Sequence, residues 1–218
     1  MIQIEYTKVS GWEAALRGMR NPMNSWGLSD TDFDGEAMAK GMGINDHTLA
    51  QKLADAGQVH GKYLRMINVA VDITAPMYWW QEFDTYKVGT VRNSCSKMHK
   101  MLAKRFTVDD FSHEKIAWSA TGMIVFTDLL ADLNELRSEA EEMKAQKPET
   151  AKRIWYQILQ LLPASYNQRS TVQMNYAVLK NIYEYRRGHK LDEWKEFCRW
   201  IESLPYSELI IGGKNESE

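Results

Sequence analysis

The sequence contains only two cysteines, no long hydrophobic run and no excess of charge of one sign. Cys95 and Cys198 do not make a disulfide framework in a chain of 218 residues, which indicates a reducing compartment. The first ten residues lack the pattern of a signal peptide, and no apolar run approaches the roughly 18 residues that a membrane-spanning helix needs. We therefore expect a cytoplasmic protein that does not bind membranes.

The formal net charge is −2, and the lysines and arginines form no run. Binding to the phosphate backbone of nucleic acid needs a basic patch, so nucleic acid is not an expected partner. The sequence also lacks a Walker loop, a dinucleotide-binding fingerprint, zinc-ligand spacing and internal repeats. Gly35 and Glu36 follow the acidic cluster at residues 30–34 too soon for an EF-hand, so we expect a solvated loop there and no metal site.

The composition is that of a globular protein, with 44% hydrophobic and 26% charged residues. A chain of this length can bury a substantial core on its own. Eight Trp and ten Tyr residues are many for 218 residues, and they suit a core, an interface or a stacking pocket. We expect a single domain over residues 1–211 and a disordered tail at 212–218.

Local patterns predict an α+β fold that is rich in helices and has a small sheet. Strands are predicted at residues 2–6 and 67–74, from alternating and β-branched residues. One capping box at residues 10–13 predicts a helix that stops before Pro22, and another at residues 170–173 predicts a late helix that Gly188 ends. A further helix begins at Pro76, and the others are predicted at 45–56, 60–67, 93–106, 121–146, 153–162 and 191–204.

Arg17, Arg20 and Asn21 lie together where the first helix ends. They suit an anion clamp, but basic residues at a helix C-terminus are ordinarily solvated and are favoured there by the helix dipole. We take the solvated arrangement as the expectation.

The most informative stretch is residues 76–98, PMYWWQEFDTYKVGTVRNSCSKM. Its aromatic block, Tyr78-Trp79-Trp80, is typical of a core. The polar residues that follow are of the kinds that hold anions and planar ligands: Thr85, Tyr86, Lys87, Thr90, Arg92, Cys95 and Lys97. Spacing alone favours a helix, a turn at Gly89 and a second helix with a polar exposed face.

This spacing resembles the signature of the flavin-dependent thymidylate synthases, Arg-His-Arg-x-x-Ser-x-Asn-x-x-Ser-x-Arg. The triplet of the family falls on Thr85-Tyr86-Lys87, its two Ser on Thr90 and Cys95, its Asn on Arg92 and its final Arg on Lys97. Every position is substituted, several by a physical near-equivalent.

Two features outside the motif add to the resemblance. The family has a His about 25 residues before the triplet, and His60 stands 25 residues before Thr85. The family also has a late helix with an Asn and, eleven residues on, an Arg that faces the nucleotide. Asn175 and Arg186 have this spacing and follow Leu162-Pro163, another family landmark. The resemblance covers roughly residues 49–200.

The resemblance implies a thymidylate synthase-complementing-protein-like fold, a homotetramer and FAD as the cofactor. It implies flavin contacts for His60, Thr85, Tyr86, Lys87, Asn175 and Asn181, and nucleotide contacts for Thr90, Arg92, Cys95, Lys97 and Arg186. Arg186 is also the candidate catalytic residue. The implied reaction is methylation of deoxyuridylate, or of a related pyrimidine nucleotide, with methylene-folate and reduced flavin.

The departures from the family pattern remove positive charge. The triplet keeps a single cation, and Gln160 and Ala177 stand in the two regions where the family has further arginines. Each lost charge-assisted contact costs roughly 1.5–3 kcal/mol, so several losses together would abolish binding. The alternative is therefore a non-enzymatic descendant that has lost FAD and acts as a nucleotide-binding or protein-interaction module. A third interpretation is a helical interaction protein whose motif match is coincidental.

Overall fold

The computed structural model describes residues 2–35, 37–96 and 103–212. It confirms a helix-rich α+β fold with a small sheet. The helices are α1 Trp12–Arg20, α2 Ile44–Asp55, α3 Met77–Phe83, α4 Ala120–Met143, α5 Pro148–Leu161, α6 Tyr176–Arg186, α7 Asp192–Glu202 and α8 Glu208–Ile211. The strands are β1 Gln3–Ser10, β2 Phe33–Asp34, β3 Ala37–Met38, β4 Asn68–Pro76, β5 Val91–Ser94 and β6 Asn167–Asn175. Short 3₁₀ helices span Asn21–Met23, Trp26–Leu28, Gly61–Met66, Val108–Asp110 and Ile116–Trp118.

Four strands form the main sheet in the order β1-β4-β6-β5, and β2 and β3 form a short antiparallel pair. The residues divide into two compact units. The first contains Thr74–Phe83 and Ser94–Arg169, and the second contains Ile2–Ile73, Asp84–Asn93 and the chain from Ser170 onward. The single domain over residues 1–211 stays a prediction. The predicted tail, apart from Gly212, lies outside the described residues.

Strand β6 occupies the place where a capping box predicted the start of a helix, so that prediction was wrong. Residues 168, 170, 172 and 174 are buried in strict alternation, which is the period of a strand with one covered face. The helix begins at Tyr176 instead. Its N-cap is Asn175, whose side-chain oxygen accepts a hydrogen bond from the Val178 amide at 3.1 Å.

Two further boundary predictions were also wrong. Ser10 ends strand β1, and the N-cap of α1 is Gly11 in the left-handed conformation at φ 87°. A Cβ atom at Gly11 would lie 2.2 Å from the carbonyl oxygen of Met66, so this position needs glycine. Residues 93 and 94 belong to strand β5 rather than to a helix, and residues 97–102 of the predicted helix lie outside the described residues.

The first unit has two aromatic clusters. In α3, Trp79 stacks on Phe83 with ring centroids 5.0 Å apart, and the Trp80 indole donates to the Gln168 carbonyl at 2.9 Å. Of the block predicted to be core, Trp79 and Trp80 are buried, which confirms the prediction for them, whereas Tyr78 is half-buried. Helices α4 and α5 pack on each other around a second cluster, which contains Phe106, Phe111, Phe126, Leu133, Ala140, Ile154 and Ile158. Buried Asn134 bonds both the amide and the carbonyl of Phe106.

The second unit is built around α6, which packs on α7, on α8 and on the 3₁₀ helix Gly61–Met66. Trp12 of α1 lies edge-on to Tyr176 and to Tyr206, with ring centroids 5.4 Å apart in both pairs. Among the residues that the structure describes, no helix is both long and apolar enough to cross a membrane.

A buried ion pair stabilises the second unit, and it corrects the expectation of a solvated Arg20. The Arg20 side chain is 3% exposed, and its Nε and a terminal nitrogen each lie 2.6 Å from Oδ1 of fully buried Asp46. The other carboxylate oxygen of Asp46 accepts from the hydroxyls of Ser29 and Thr31. Arg20 therefore has a structural role rather than that of an anion clamp.

The acidic cluster at residues 30–34 is more ordered than a solvated loop. The Asp30 carboxylate accepts hydrogen bonds from the Asn45 and Asp46 amides at 2.9 and 3.0 Å. These amides belong to the first turn of α2, where a carboxylate satisfies otherwise unpaired donors. Asp30 thus caps the N-terminus of α2.

Candidate functional site

The segment that follows α3 forms a turn before β5. The Thr90 amide lies 3.5 Å from the Lys87 carbonyl oxygen, and Gly89 takes the left-handed conformation at φ 78°. A Cβ atom at Gly89 would lie 3.1 Å from both the Asn175 Nδ2 atom and a Val178 methyl group. The motif segment and the N-terminus of α6, which are distant in sequence, therefore lie side by side in the second unit.

We expect Gly89→Ala to lower the free energy of unfolding by about 1–2 kcal/mol, because alanine is strained in the left-handed region. Urea denaturation measures the change. Gly188→Ala is the matched control, since its conformation is not left-handed and a Cβ atom added there would have nothing within 4 Å. Equal effects of the two substitutions would contradict the tight turn at Gly89.

Tyr86 and Arg186 meet directly, although 100 residues separate them in the chain. The Arg186 Nε donates to the Tyr86 hydroxyl at 2.8 Å. The guanidinium carbon lies 4.6 Å from the centroid of the Trp194 ring and 5.6 Å from that of the Tyr86 ring, both within cation–π range. The structure thus brings together one residue from the motif and one from the late helix, which the sequence identified separately.

Arg92 is held by two residues of the same unit. One of its terminal nitrogens lies 2.8 Å from each carboxylate oxygen of Asp84, and its Nε donates to the Ser170 hydroxyl at 3.0 Å. Ser170 lies on β6, and Arg92 lies on β5, which is next to β6 in the sheet. This arrangement makes Arg92 a link between β5, β6 and the segment after α3, whereas the sequence suggested a nucleotide contact.

Thr90 lies just before β5 and carries a hydroxyl group. Its Oγ1 atom is buried, and no residue of the described chain forms a hydrogen bond with it. A buried hydroxyl without a partner costs about 1–3 kcal/mol. Thr90 also occupies a position of the motif that falls on a Ser in the flavin-dependent thymidylate synthases, so its hydroxyl is a candidate for contact with a ligand or a bound water.

The other predicted flavin residues lie in the second unit. Thr85 and Lys87 are exposed, and His60 is exposed just before the 3₁₀ helix Gly61–Met66. Asn175 is occupied as the N-cap of α6, while Asn181 is half-buried in the second half of that helix. Tyr86 joins the motif to α6 through its hydrogen bond with Arg186. The turn at Gly89 lies against Asn175 at the start of the same helix.

Cys95 belongs to the first unit, where it is exposed. Its amide donates to the Arg169 carbonyl at 2.9 Å, and its carbonyl accepts from the Gln168 side chain at 2.8 Å. Lys97 lies outside the described residues.

A cleft on the first unit contains Gln160, which stands in a region where the resemblance leads one to expect an arginine. Its lining consists of Asp132, Glu135, Leu136, Glu139, Gln157, Gln160 and Leu161. Gln160 therefore shares this cleft with three carboxylates, which repel an anion at short range. This cleft does not suit a phosphate.

We expect the two cysteines to react very differently with iodoacetamide at about pH 8. Burial and, to a smaller extent, the nearby Glu202 carboxylate raise the pKa of the Cys198 thiol to about 11, and the residue is 3% exposed. Mass spectrometry of the native protein should show a fast adduct on Cys95 alone, with Cys198 modified only in urea. A Cys95→Ser control should show no fast adduct. Comparable rates at both thiols would contradict the buried position of Cys198.

Sequence reasoning missed three residues of this site. Trp194 lies within the helix predicted at residues 191–204 and is fully buried, but its ring also faces Arg186. Asp84 and Ser170 hold Arg92; no local pattern marked Asp84, and the capping box that contains Ser170 pointed to a helix start rather than to this contact. The many tryptophans were the available signal, because a guanidinium group can stack on an aromatic face.

The second unit therefore offers a hydroxyl with no described partner at Thr90, an exposed ammonium group at Lys87 and a tyrosine ring beside a guanidinium group at Tyr86. A donor, a cation and an aromatic face fit a planar ligand that carries phosphate. The described residues contain no group of three or more His, Cys, Asp or Glu side chains placed to hold a metal ion.

Comparisons with known proteins agree with this picture at the level of the fold. No protein-family model matches the sequence, and no curated protein matches it. Solved structures do match. Thymidylate synthase X (ThyX) from Helicobacter pylori with FAD and dUMP superposes with a TM-score of 0.65 at 14% identity, over 96% of each chain. A second structure of the H. pylori enzyme with FAD and dUMP gives a TM-score of 0.62 at 16% identity, over 95% of each chain.

The UMP/dUMP methylase PolB from Streptomyces cacaoi, bound with 5-Br dUMP, gives a TM-score of 0.59 at 12% identity, over 96% of this chain and 94% of that one. Matches over nearly the full length of both chains show that this protein has a ThyX-like fold.

Proposed function

We propose that this protein methylates deoxyuridylate, or a related pyrimidine nucleotide, with methylene-folate as the carbon source and reduced FAD as the reductant. The observation that carries the proposal is the hydrogen bond between Tyr86 and Arg186. It joins the substituted triplet to the arginine of the late helix, the two features that the resemblance assigned to flavin and nucleotide. The full-length similarity to proteins solved with FAD, dUMP or 5-Br dUMP supports the same ligand class.

The residues of the second unit set out above suit FAD, and we assign them to it as follows. Lys87 and His60 would face its phosphates, and Tyr86, Asn175 and Asn181 its ring system or ribityl chain. When bound, reduced FAD supplies the hydride that the transferred carbon needs to become a methyl group.

The remaining polar residues of the motif and α6 would serve the nucleotide. Arg186 supplies a guanidinium charge, and Thr90 supplies a hydroxyl for which the described residues give no partner. Arg92 keeps β5 and β6 in register through Asp84 and Ser170, and so places Thr90. Cys95 and Lys97 keep their assigned nucleotide role as predictions.

The proposal is tested by incubating the protein with dUMP, methylene-folate, FAD and NADPH, and by following the nucleotide pool by mass spectrometry. We expect a product that is heavier by one methylene unit and that depends on each component. The same assay with UMP and dCMP identifies the preferred base and sugar. Absence of any methylated product, with all components saturating, would contradict the enzymatic proposal.

A second candidate function is a nucleotide-binding module without turnover. It is favoured by the position of Gln160, which puts a neutral side chain next to Asp132, Glu135 and Glu139 in the region where the resemblance leads one to expect an arginine. Calorimetry separates the two candidates. The module binds dUMP and is indifferent to FAD, whereas the enzyme binds both.

Assembly into a homotetramer is part of the proposal. Trp118, Ile124 and Val125 of the first unit are 78%, 59% and 63% exposed, and large exposed apolar side chains are typical of interface residues. Light scattering of the purified protein measures the mass in solution. A monomer of 25.3 kDa would contradict this part of the proposal.

A further inference from the structure

We infer that Tyr86 and Trp194 are positioning residues for Arg186, and that together they fix the plane and direction of its guanidinium group for an anionic or polar ligand. The inference rests on the proposed function for the identity of that ligand. It changes the role of Tyr86, which the resemblance placed among flavin contacts, and it gives Trp194 a role in the site.

The two aromatic residues restrain Arg186 in different ways. The Tyr86 hydroxyl accepts from Nε at 2.8 Å, which fixes the direction of that N–H bond. The Trp194 ring lies 4.6 Å from the guanidinium carbon, which restricts the group to the space over the indole. A hydrogen bond at one edge and a ring against the group leave a long flexible side chain with little rotational freedom.

The platform under Arg186 is itself rigid. Trp194 is fully buried near the start of α7 and lies edge-on to Phe197 at 5.9 Å. Its ring is also edge-on to Tyr86, at 6.0 Å, so these two aromatic residues contact each other. Three segments of the chain, namely the motif, the end of α6 and the start of α7, therefore meet at one guanidinium group.

A guanidinium group that is already fixed in the folded protein favours ligand binding, because little further side-chain entropy is lost on binding. An arginine that is disordered before binding loses rotamer freedom when the ligand arrives, which weakens affinity. Arg186 is half-buried and held, so this loss is reduced.

The test is the pair of substitutions Tyr86→Phe and Tyr183→Phe. Tyr86→Phe keeps the ring and removes the hydroxyl that Arg186 bonds. Tyr183→Phe, also in the second unit, removes a phenol hydrogen bond of 2.8 Å to Glu202 and is the matched control. We expect Tyr86→Phe to weaken dUMP binding about 3- to 10-fold, and Tyr183→Phe to leave it unchanged.

A double-mutant comparison separates positioning from a general structural effect. In the Arg186→Ala background, Tyr86→Phe should have no further effect on the dissociation constant of dUMP, because the group that it positions is gone. An equal weakening in both backgrounds would overturn the inference. Trp194→Phe, which retains an aromatic face, should weaken binding less than Trp194→Leu, and circular dichroism confirms that each variant is folded.

A ligand-independent measurement completes the test. The ¹⁵N–¹H signal of the Arg186 Nε–H group should shift in Tyr86→Phe and stay unmoved in Tyr183→Phe. A signal that does not move in Tyr86→Phe overturns the positioning inference. Failure of the wild-type protein to bind dUMP, together with a signal that does move, overturns the proposed function and supports the positioning of Arg186.

Discussion

Replacing Asp46 by alanine is expected to lower the free energy of unfolding by about 3–5 kcal/mol, the largest effect on stability that we predict. The substitution leaves the Arg20 guanidinium charge, which is 3% exposed, without its carboxylate partner. It also removes the acceptor for the Ser29 and Thr31 hydroxyls, which order the loop before α2. Urea denaturation of wild type and variant measures the difference.

Two controls sharpen the Asp46 result. Asp30→Ala removes a cap of α2 but leaves no buried charge unpaired, and it should lower the free energy of unfolding by about 1 kcal/mol. The double variant Arg20→Met, Asp46→Leu removes both charges and should be more stable than Asp46→Ala alone, since an apolar pair can replace a buried ion pair. A loss below about 1 kcal/mol for Asp46→Ala would contradict the buried pair.

The same pair gives the protein a defined response to acid. Burial alone would raise the pKa of Asp46, but hydrogen bonds from Thr31, Ser29 and Arg20, with the Arg20 charge, outweigh it and hold the pKa below its ordinary value. A carboxyl whose pKa is lower in the folded state stabilises the protein above its unfolded pKa and loses that contribution as the pH falls through the folded value. Below about pH 4, stability should therefore fall more steeply in wild type than in Asp46→Ala.

Replacing Arg186 by alanine is expected to weaken dUMP binding about 10- to 100-fold, because a charge-assisted hydrogen bond contributes roughly 1.5–3 kcal/mol. The side chain also bonds Tyr86 and packs on Trp194, so its removal should lower the free energy of unfolding by about 1 kcal/mol while leaving the protein folded for the titration. Isothermal titration calorimetry gives the dissociation constant, and thermal unfolding reports the stability of the same sample.

Arg187→Ala is the matched control for Arg186. Arg187 is the next residue and is exposed, and its replacement removes the same charge from the same end of α6. We expect it to change dUMP affinity less than about twofold, as screened surface charges do. Equal losses in the two variants would show that Arg186 acts through net charge alone, which contradicts a directional contact.

The sequence predicted the elements whose signal is local. Strands β1 and β4, helix α2 and the burial of Trp79 and Trp80 all follow from short-range pattern. It failed where two local signals competed. The Ser170–Gln173 capping box is a good helix start, but alternate burial of Val172 and Met174 on a covered sheet face outweighs it.

The candidate site could be predicted only in part, because its residues come from separate segments of the chain. Tyr86 and Arg186 could be identified because a known motif and a fixed spacing mark them, and the structure brings them together. Their surroundings could not be identified in this way, since Trp194 lies on the next helix and Ser170, which holds Arg92, stands 78 residues from it in the chain. No pattern within one segment encodes a contact between segments, so these residues needed the structure.

The most direct test of the proposed function is a titration of the wild-type protein with FAD, followed by its visible absorption band, in the presence and absence of dUMP. We predict saturable FAD binding that dUMP alters, together with dUMP binding that Arg186→Ala weakens. Absence of binding to either ligand at saturating concentration would contradict the proposal, and would leave a ThyX-like fold without the nucleotide chemistry proposed for it.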